Sequence, residues 1–229
     1  MQLEVRKIIQ EIYEEISEGS LVFANENQFQ FELAWRIKTK YSGYDVLFEV
    51  VYLDDNRSSE KDKKNYTDLV VVDNDLKEYV SIELKYKTKQ RDSDDRLLKN
   101  QGAQDLGVYD YLKDLSRIEK LKENSLKQFE FYEKYKDYKF DKGYAIILTN
   151  DKTYYEGGKE EKYAMYFSIK HNAKKAGEMD WNRNLGKCVK GTDRDYPIFL
   201  SGNYDCIWNL EPDKNKNSGK DFYYLILEV

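Results

Sequence analysis

The chain reads as an α+β protein, α/β/α-like in its layering, built round a mixed β-sheet with helices on its faces. Three observations lead there. Apolar residues near the N-terminus recur at helical spacing. From residue 45 the period changes to two or to short apolar runs. The second and third of those runs are joined by only a few residues, which suits antiparallel pairing and excludes a parallel crossover.

Taken in order, residues 3–17 form an amphipathic helix with Leu3, Val5, Ile8, Ile9, Ile12 and Ile16 on one face, closed by Gly19 and Ser20. A second helix starts after Asn25 or Asn27, both good caps, and runs through Phe29, Leu33, Ala34 and Ile37. Strands follow at 45–53, 66–72 and 78–86, separated by a polar loop at 54–65 and by the turn residues Asp73, Asn74 and Asp75. After a polar stretch at 91–100, Leu106, Tyr109, Leu112, Leu115 and Ile118 describe a helical face, and a further helical stretch is expected at 119–137. Residues 143–149 are a strongly apolar strand. Beyond it come a loop at 151–162, a strand at 163–169, a stretch poor in apolar residues at 171–195, and strands at 196–200 and 222–229. No internal repeat and no Gly/Ser linker divides the 229 residues, which is the size of one large domain.

Composition narrows the chemistry. The chain carries 38 Lys and Arg against 43 Asp and Glu, a net charge of −5, with a single histidine, His171, and two cysteines, Cys188 and Cys206. Two cysteines give no disulfide framework and no zinc spacing, and a lone histidine in a Lys-flanked stretch argues against a Ser-His-Asp triad or a Cys-His protease. The apolar runs are too short to span a bilayer and the N-terminus lacks a signal-peptide pattern, so a cytoplasmic protein is expected. Catalysis, if present, falls to carboxylates, lysines and hydroxyls, and any nucleic-acid contact must be local.

One hairpin concentrates those groups. Period-two geometry puts Glu83 and Lys85 on one face of a strand and Ile82, Leu84 and Tyr86 on the other, while Asp68 stands near the start of the preceding strand. Two carboxylates beside a lysine make a hard-oxygen site suited to Mg²⁺ or Mn²⁺, with the lysine placed to orient a water or offset charge on a phosphate. The acid-x-Lys spacing recurs at Glu160, Asp62, Asp75 and Asp137, but there in loops or polar stretches; only Glu83 and Lys85 sit within an apolar strand preceded by another. The competing interpretation is a solvated edge strand on which Glu and Lys pair without consequence.

With its acid on an early helix, its Asp68 on one strand and Glu83-Leu84-Lys85 on the next, the chain resembles the PD-(D/E)XK nuclease superfamily, whose cores are restriction endonuclease-like. Thr67-Asp68 matches the first element with Thr in place of Pro. Glu26 on the preceding helix is the matching acid and Glu32 the alternative. The element order covers about residues 20–150, with 151–229 as a β-rich elaboration. Gln104 and Tyr109 stand one residue too far apart for the Gln-x-x-x-Tyr element of some members, which leaves Gln104 as an accessory candidate.

The resemblance implies a divalent-metal-dependent nuclease hydrolysing phosphodiester bonds, a DNA endonuclease of phage, mobile-element or defence type. Asp68, Glu83 and Lys85 would be catalytic, and the metal would be held by Asp68, Glu83, the Leu84 carbonyl and Glu26. A non-catalytic nucleic-acid-binding or assembly module on the same fold is the alternative. The partner implied is nucleic acid, DNA before RNA, with no membrane; a homodimer would let two sites cut two strands. Lys87, Lys89, Arg91, Arg96 and Lys99 supply a basic stretch beside Lys85 for sequence-independent backbone contact. The patch around Lys170, His171, Lys174 and Lys175 reads as a surface turn, and Trp181 and Trp208 as core.

Overall fold

A computed structural model of the chain describes residues 1–53, 64–90, 98–99, 101–123, 126, 128–129, 132–157, 163–184, 189–210 and 221–229. The N-terminal apolar stripe folds as its spacing requires: α1 (Val5–Ser17) buries Val5, Ile8, Ile9, Ile12, Tyr13 and Ile16. Its end is a Schellman turn. Gly19 takes φ 76°, a conformation that costs glycine little, while the Ser20 N–H returns to the Glu15 carbonyl and the Gly19 N–H to that of Ile16. Helix α2 (Glu26–Lys40) is capped by Asn25, whose side chain accepts from the Gln28 N–H at 3.0 Å.

Strands β1 (Tyr44–Leu53), β2 (Lys64–Asp73) and β3 (Glu78–Lys87) form the antiparallel meander expected from their short connections. At the β2–β3 turn, Asp73 Oδ1 accepts from the N–H groups of Asp75 and Leu76, an Asx-type turn. Helix α3 (Gln104–Lys122) then carries the chain across so that β4 (Lys139–Thr149) lies parallel to β3. Gly143 on β4 lets α3 settle close to the sheet, because a Cβ there would collide with the Ile118 side chain.

After the short α4 (Thr153–Glu156), β5 (Ala173–Met179) and β6 (Ile198–Cys206) pair as a separate two-stranded sheet, and β7 (Tyr223–Glu228) returns antiparallel to β4. The result is a five-stranded mixed sheet, in the order β1-β2-β3-β4-β7, flanked by helices. Its two faces bury different partners. Leu69, Val71, Ile82, Leu84, Ile146 and Leu148 pack with α1 and α2, whereas Ala145, Ile147, Leu225 and Leu227 pack with α3, β5 and β6. Among the described residues no helix is long and apolar enough to cross a membrane.

Four sequence expectations need correction. The helical stretch expected at 119–137 is not a second helix: α3 continues unbroken to Lys122, and a 3₁₀ turn occupies Glu133–Tyr135. Residues 163–169 are not a strand but contain a 3₁₀ turn, Met165–Phe167; Phe167 and Ile169 are fully buried, and a short apolar run does not itself distinguish strand from buried turn. The stretch 171–195 holds β5, overlooked because only alternate residues such as Lys175 and Met179 turn inward. The loop at 151–162 contains the helical turn α4. In addition, the strand expected at 196–200 extends to Cys206. Most of the polar loop at 54–65 lies outside the described residues.

Candidate active site

The β2–β3 ladder runs from Asp73↔Glu78 at the turn to Leu69↔Ile82, and there it stops. On the other side of β2, β1 keeps its register through this point, with Glu49 and Asp68 facing each other unpaired between Phe48↔Leu69 and Val50↔Thr67, and Glu49 takes φ 47°. Beyond the last β2–β3 pair, backbone groups of β3 are met by side chains. The Leu84 N–H donates to Asp68 Oδ2 at 2.6 Å, the Tyr86 N–H donates to Glu26 Oε2 at 2.6 Å, and the Lys85 ammonium donates to the Leu84 carbonyl at 3.1 Å. Gln30, buried on α2, donates to the Asp68 carbonyl at 2.6 Å and to Glu49 Oε1 at 3.0 Å. A carboxylate from β2 and another from the first turn of α2 therefore close the gap where the strands part.

Alternation along the strands sets which side chains share this gap. Leu69 and Val71 face α1 and α2, so Asp68 belongs to the opposite face with Val70, and across the ladder Glu83 and Lys85 belong to that same face. There α3 presents Asp114 and Arg117. Lys85 Nζ is 2.5 Å from Asp114 Oδ2, Arg117 Nη2 pairs with Asp114 Oδ1, and the same Nη2 lies 3.2 Å from Glu83 Oε1. The Glu83 and Asp114 side chains are only 3% and 4% exposed.

Electrostatics follow from this enclosure. Burial pushes the Asp68 carboxyl up to about 6, against the pull of Lys85 and the Leu84 N–H, with the charges of Asp114 and Glu26 adding to the rise. Burial likewise raises Glu83 well above the ordinary carboxylate range, with Arg117 opposing it. For Lys85 burial works against the ammonium, but Asp114, Glu83, Asp68 and Glu26 outweigh it and raise its pKa.

Counted as ionised, four carboxylates (Glu26, Asp68, Glu83 and Asp114) face two cations (Lys85 and Arg117), but the burial that raises Asp68 and Glu83 favours their neutral forms and offsets that excess. Among the described residues no three His, Cys, Asp or Glu side chains stand close enough together to hold one ion. Mg²⁺, however, needs only one or two carboxylates and keeps several waters. Two hard-oxygen carboxyls, Asp68 and Glu83, with the Leu84 carbonyl beside them, suit that chemistry.

The remaining candidates fall in different places. Glu32 is taken up by Arg36 at 2.7 Å, in a cluster that also engages Glu15 of α1, so its role is to tie the two helices. Gln104, first residue of α3, donates to Asp151 Oδ2 at 2.9 Å just past the end of β4. Lys87 is half-buried at the end of β3, and Lys89 and Lys99 are exposed nearby; Thr88 Oγ1 donates to the Lys99 carbonyl at 2.7 Å. Arg91 and Arg96 lie outside the described residues, as do Cys188 and the acid-x-Lys repeats at Asp62 and Glu160. Lys85 is not part of an open basic stripe, since its ammonium points into the α3 network.

Trp181 and Trp208 are core, His171 accepts from the Trp208 N–H, and Cys206 is buried. Lys175 is not a surface residue: it is buried and donates to the Tyr166 carbonyl at 2.9 Å.

Sequence reasoning missed Asp114 and Arg117 as members of this cluster. The available signal was positional: Tyr111, Leu115 and Ile118 define the buried stripe of α3, and residues 114 and 117 fall beside it, where a charge requires an explanation. Asn150, whose side chain clamps Lys89 by accepting from its N–H and donating to its carbonyl, carried no such signal. Comparison of the chain with protein-family models, curated proteins and solved structures finds no match.

Proposed function

We propose that this chain is a divalent-metal-dependent nuclease of restriction endonuclease-like fold, hydrolysing phosphodiester bonds in DNA. The observation that carries the proposal is the gathering of Asp68, Glu83 and Lys85 on one face, where β2 and β3 part. Asp68 and Glu83, with the Leu84 carbonyl, would hold Mg²⁺ or Mn²⁺, and Glu26 would secure the edge of the site through the Tyr86 N–H. A bound ion supplies Lewis acidity toward a phosphate oxygen and acidifies water.

The residues divide the remaining work. With its pKa raised by surrounding carboxylates, Lys85 keeps its proton at neutral pH, so it serves as a cationic hydrogen-bond donor to phosphate or water and not as a base. Lys87, Lys89 and Lys99, near the carboxyl end of β3, would hold the phosphate backbone without reading sequence.

The test is a cleavage assay on supercoiled plasmid, single-stranded DNA and RNA with Mg²⁺ or Mn²⁺, run beside Asp68→Ala and Lys85→Ala. Nicked or linear plasmid with wild type and intact plasmid with both variants is the expected result. Intact substrates throughout would remove the enzyme from consideration. The alternative, a nucleic-acid-binding or assembly module without cleavage, is favoured by one observation: Lys85 is already paired with Asp114. It predicts salt-sensitive gel shifts with no product.

A further inference from the structure

We propose that Asp114 and Arg117 of α3 are positioning residues for this reaction, fixing the Lys85 ammonium and the Glu83 carboxylate in their working orientation. The inference rests on the nuclease reading above. Lys85, Asp114, Arg117 and Glu83 form a chain of alternating charge whose two ends lie two residues apart on β3. A lysine ammonium on a flexible four-carbon stem keeps no single position unless a partner holds it. Asp114 is that partner, and one carboxylate spans both cations: Oδ2 faces Lys85 and Oδ1 faces Arg117.

Arg117 in turn holds Glu83 at Oε1, with Asp68 close enough to act on its charge. The close seat of α3 on β4 at Gly143 brings these two side chains down to the strand.

Stability does not account for the arrangement. The neighbouring positions Tyr111, Leu115 and Ile118 are at most 1% exposed and pack without charge. Buried ion pairs are commonly replaceable by apolar residues of similar volume at no loss. The two side chains the network holds are the two that the chemistry would use on β3. Asp114 is not itself catalytic; it acts through Lys85.

The experiment is steady-state kinetics of plasmid cleavage by wild type, Asp114→Asn, Asp114→Glu and Arg117→Lys. It is paired with ¹⁵N–¹H spectroscopy of the Lys85 ammonium and a melting curve for each protein. Asp114→Asn should lower kcat by roughly 10- to 100-fold, the usual cost of losing a supporting partner. KM for DNA should stay within about twofold, because ground-state binding is untouched. The Lys85 resonance, slowly exchanging in wild type, should be lost, and Asp114→Glu should restore most of both.

If Asp114→Asn does not fold, Asp114→Glu and Arg117→Lys keep every charge and decide the matter, with kcat falling as the Lys85 resonance shifts. An Asp114→Asn protein with unchanged or raised kcat overturns the proposal while leaving the nuclease intact. So does a kcat loss with the Lys85 resonance unmoved. A folded wild type that cuts nothing overturns the nuclease reading, and the positioning role falls with it.

Discussion

On one face of β3, Ile82, Leu84 and Tyr86 are at most 1% exposed and pack among apolar side chains of α1, α2 and the neighbouring strands. On the other face of the same strand, Glu83 is enclosed to nearly the same degree, and Lys85 lies beside it among Asp114 and Arg117. The two faces cost and contribute opposite amounts. Burying an aliphatic or aromatic side chain contributes about 1.5–3 kcal/mol each. Burying carboxylates and cations carries a desolvation penalty that their mutual attraction repays only partly. One face of this strand holds the fold, and the charge network on the other is the part that the proposed chemistry would use.

Four measurements would break or sharpen this contrast. The largest effect is expected on the charged face: Lys85→Ala should slow cleavage on the order of a thousandfold, about 4 kcal/mol in the barrier. Ile82→Ala, on the apolar face, should lower stability in urea by about 3 kcal/mol and leave the cleavage rate per folded molecule close to wild type. If the two variants exchange these phenotypes, the division of labour between the faces is wrong.

Metal linkage comes next. At about a hundred times its Kd, Mg²⁺ should stabilise the protein by about 2.7 kcal/mol, and Glu83→Gln should remove most of that shift while remaining folded. A wild-type melting curve indifferent to both Mg²⁺ and Mn²⁺ would take Glu83 and Asp68 out of a metal site.

The smallest effect separates two aspartates. Asp45, bonded first by Lys134 and then by Asn74 and Tyr135, is drawn down from 3.8 to about 2. Its folded pKa lies below its unfolded one, so its contribution is complete above pH 3.8 and disappears as the pH falls through about 2. Allowing for solvent screening, that is about 1 kcal/mol, lost in Asp45→Asn at neutral pH. Asp68 behaves oppositely. Burial raises it to about 6, so the metal-free protein should gain stability from this group as the pH falls from about 6 toward 3.8, and Asp68→Asn should flatten that slope. Denaturation midpoints across pH, with and without chelator, measure both.

Local patterning made much of the fold legible. The α1 stripe, the Asn25 cap, the Asp73 turn and the alternation of β3 each express a constraint between residues close in sequence. Where patterning misled, the cause was also local. A run of charges after Ile118 resembled a new helix because helix and polar loop share composition there, and β5 was missed because its buried side is only every second residue of a mostly polar segment. Asp68, Glu83 and Lys85 were legible as a set because one hairpin and one strand period suffice to relate them.

Asp114, Arg117 and β7 were not legible in that way. Asp114 reaches Lys85 across 29 positions of sequence, by way of a crossover helix whose rotation about its axis no local pattern specifies. β7 joins the sheet beside β4 from the far end of the chain. By itself the sequence determined the elements, the inward faces and the carboxylate–lysine pairing on one hairpin, because those depend on helical and strand periods. Only the tertiary structure decided that Lys85 is held by Asp114, that Glu83 faces Arg117, and that β2 and β3 part at Asp68. Those outcomes depend on how α3 and β4 pack against the hairpin, and packing is settled by shape and charge among residues distant in sequence.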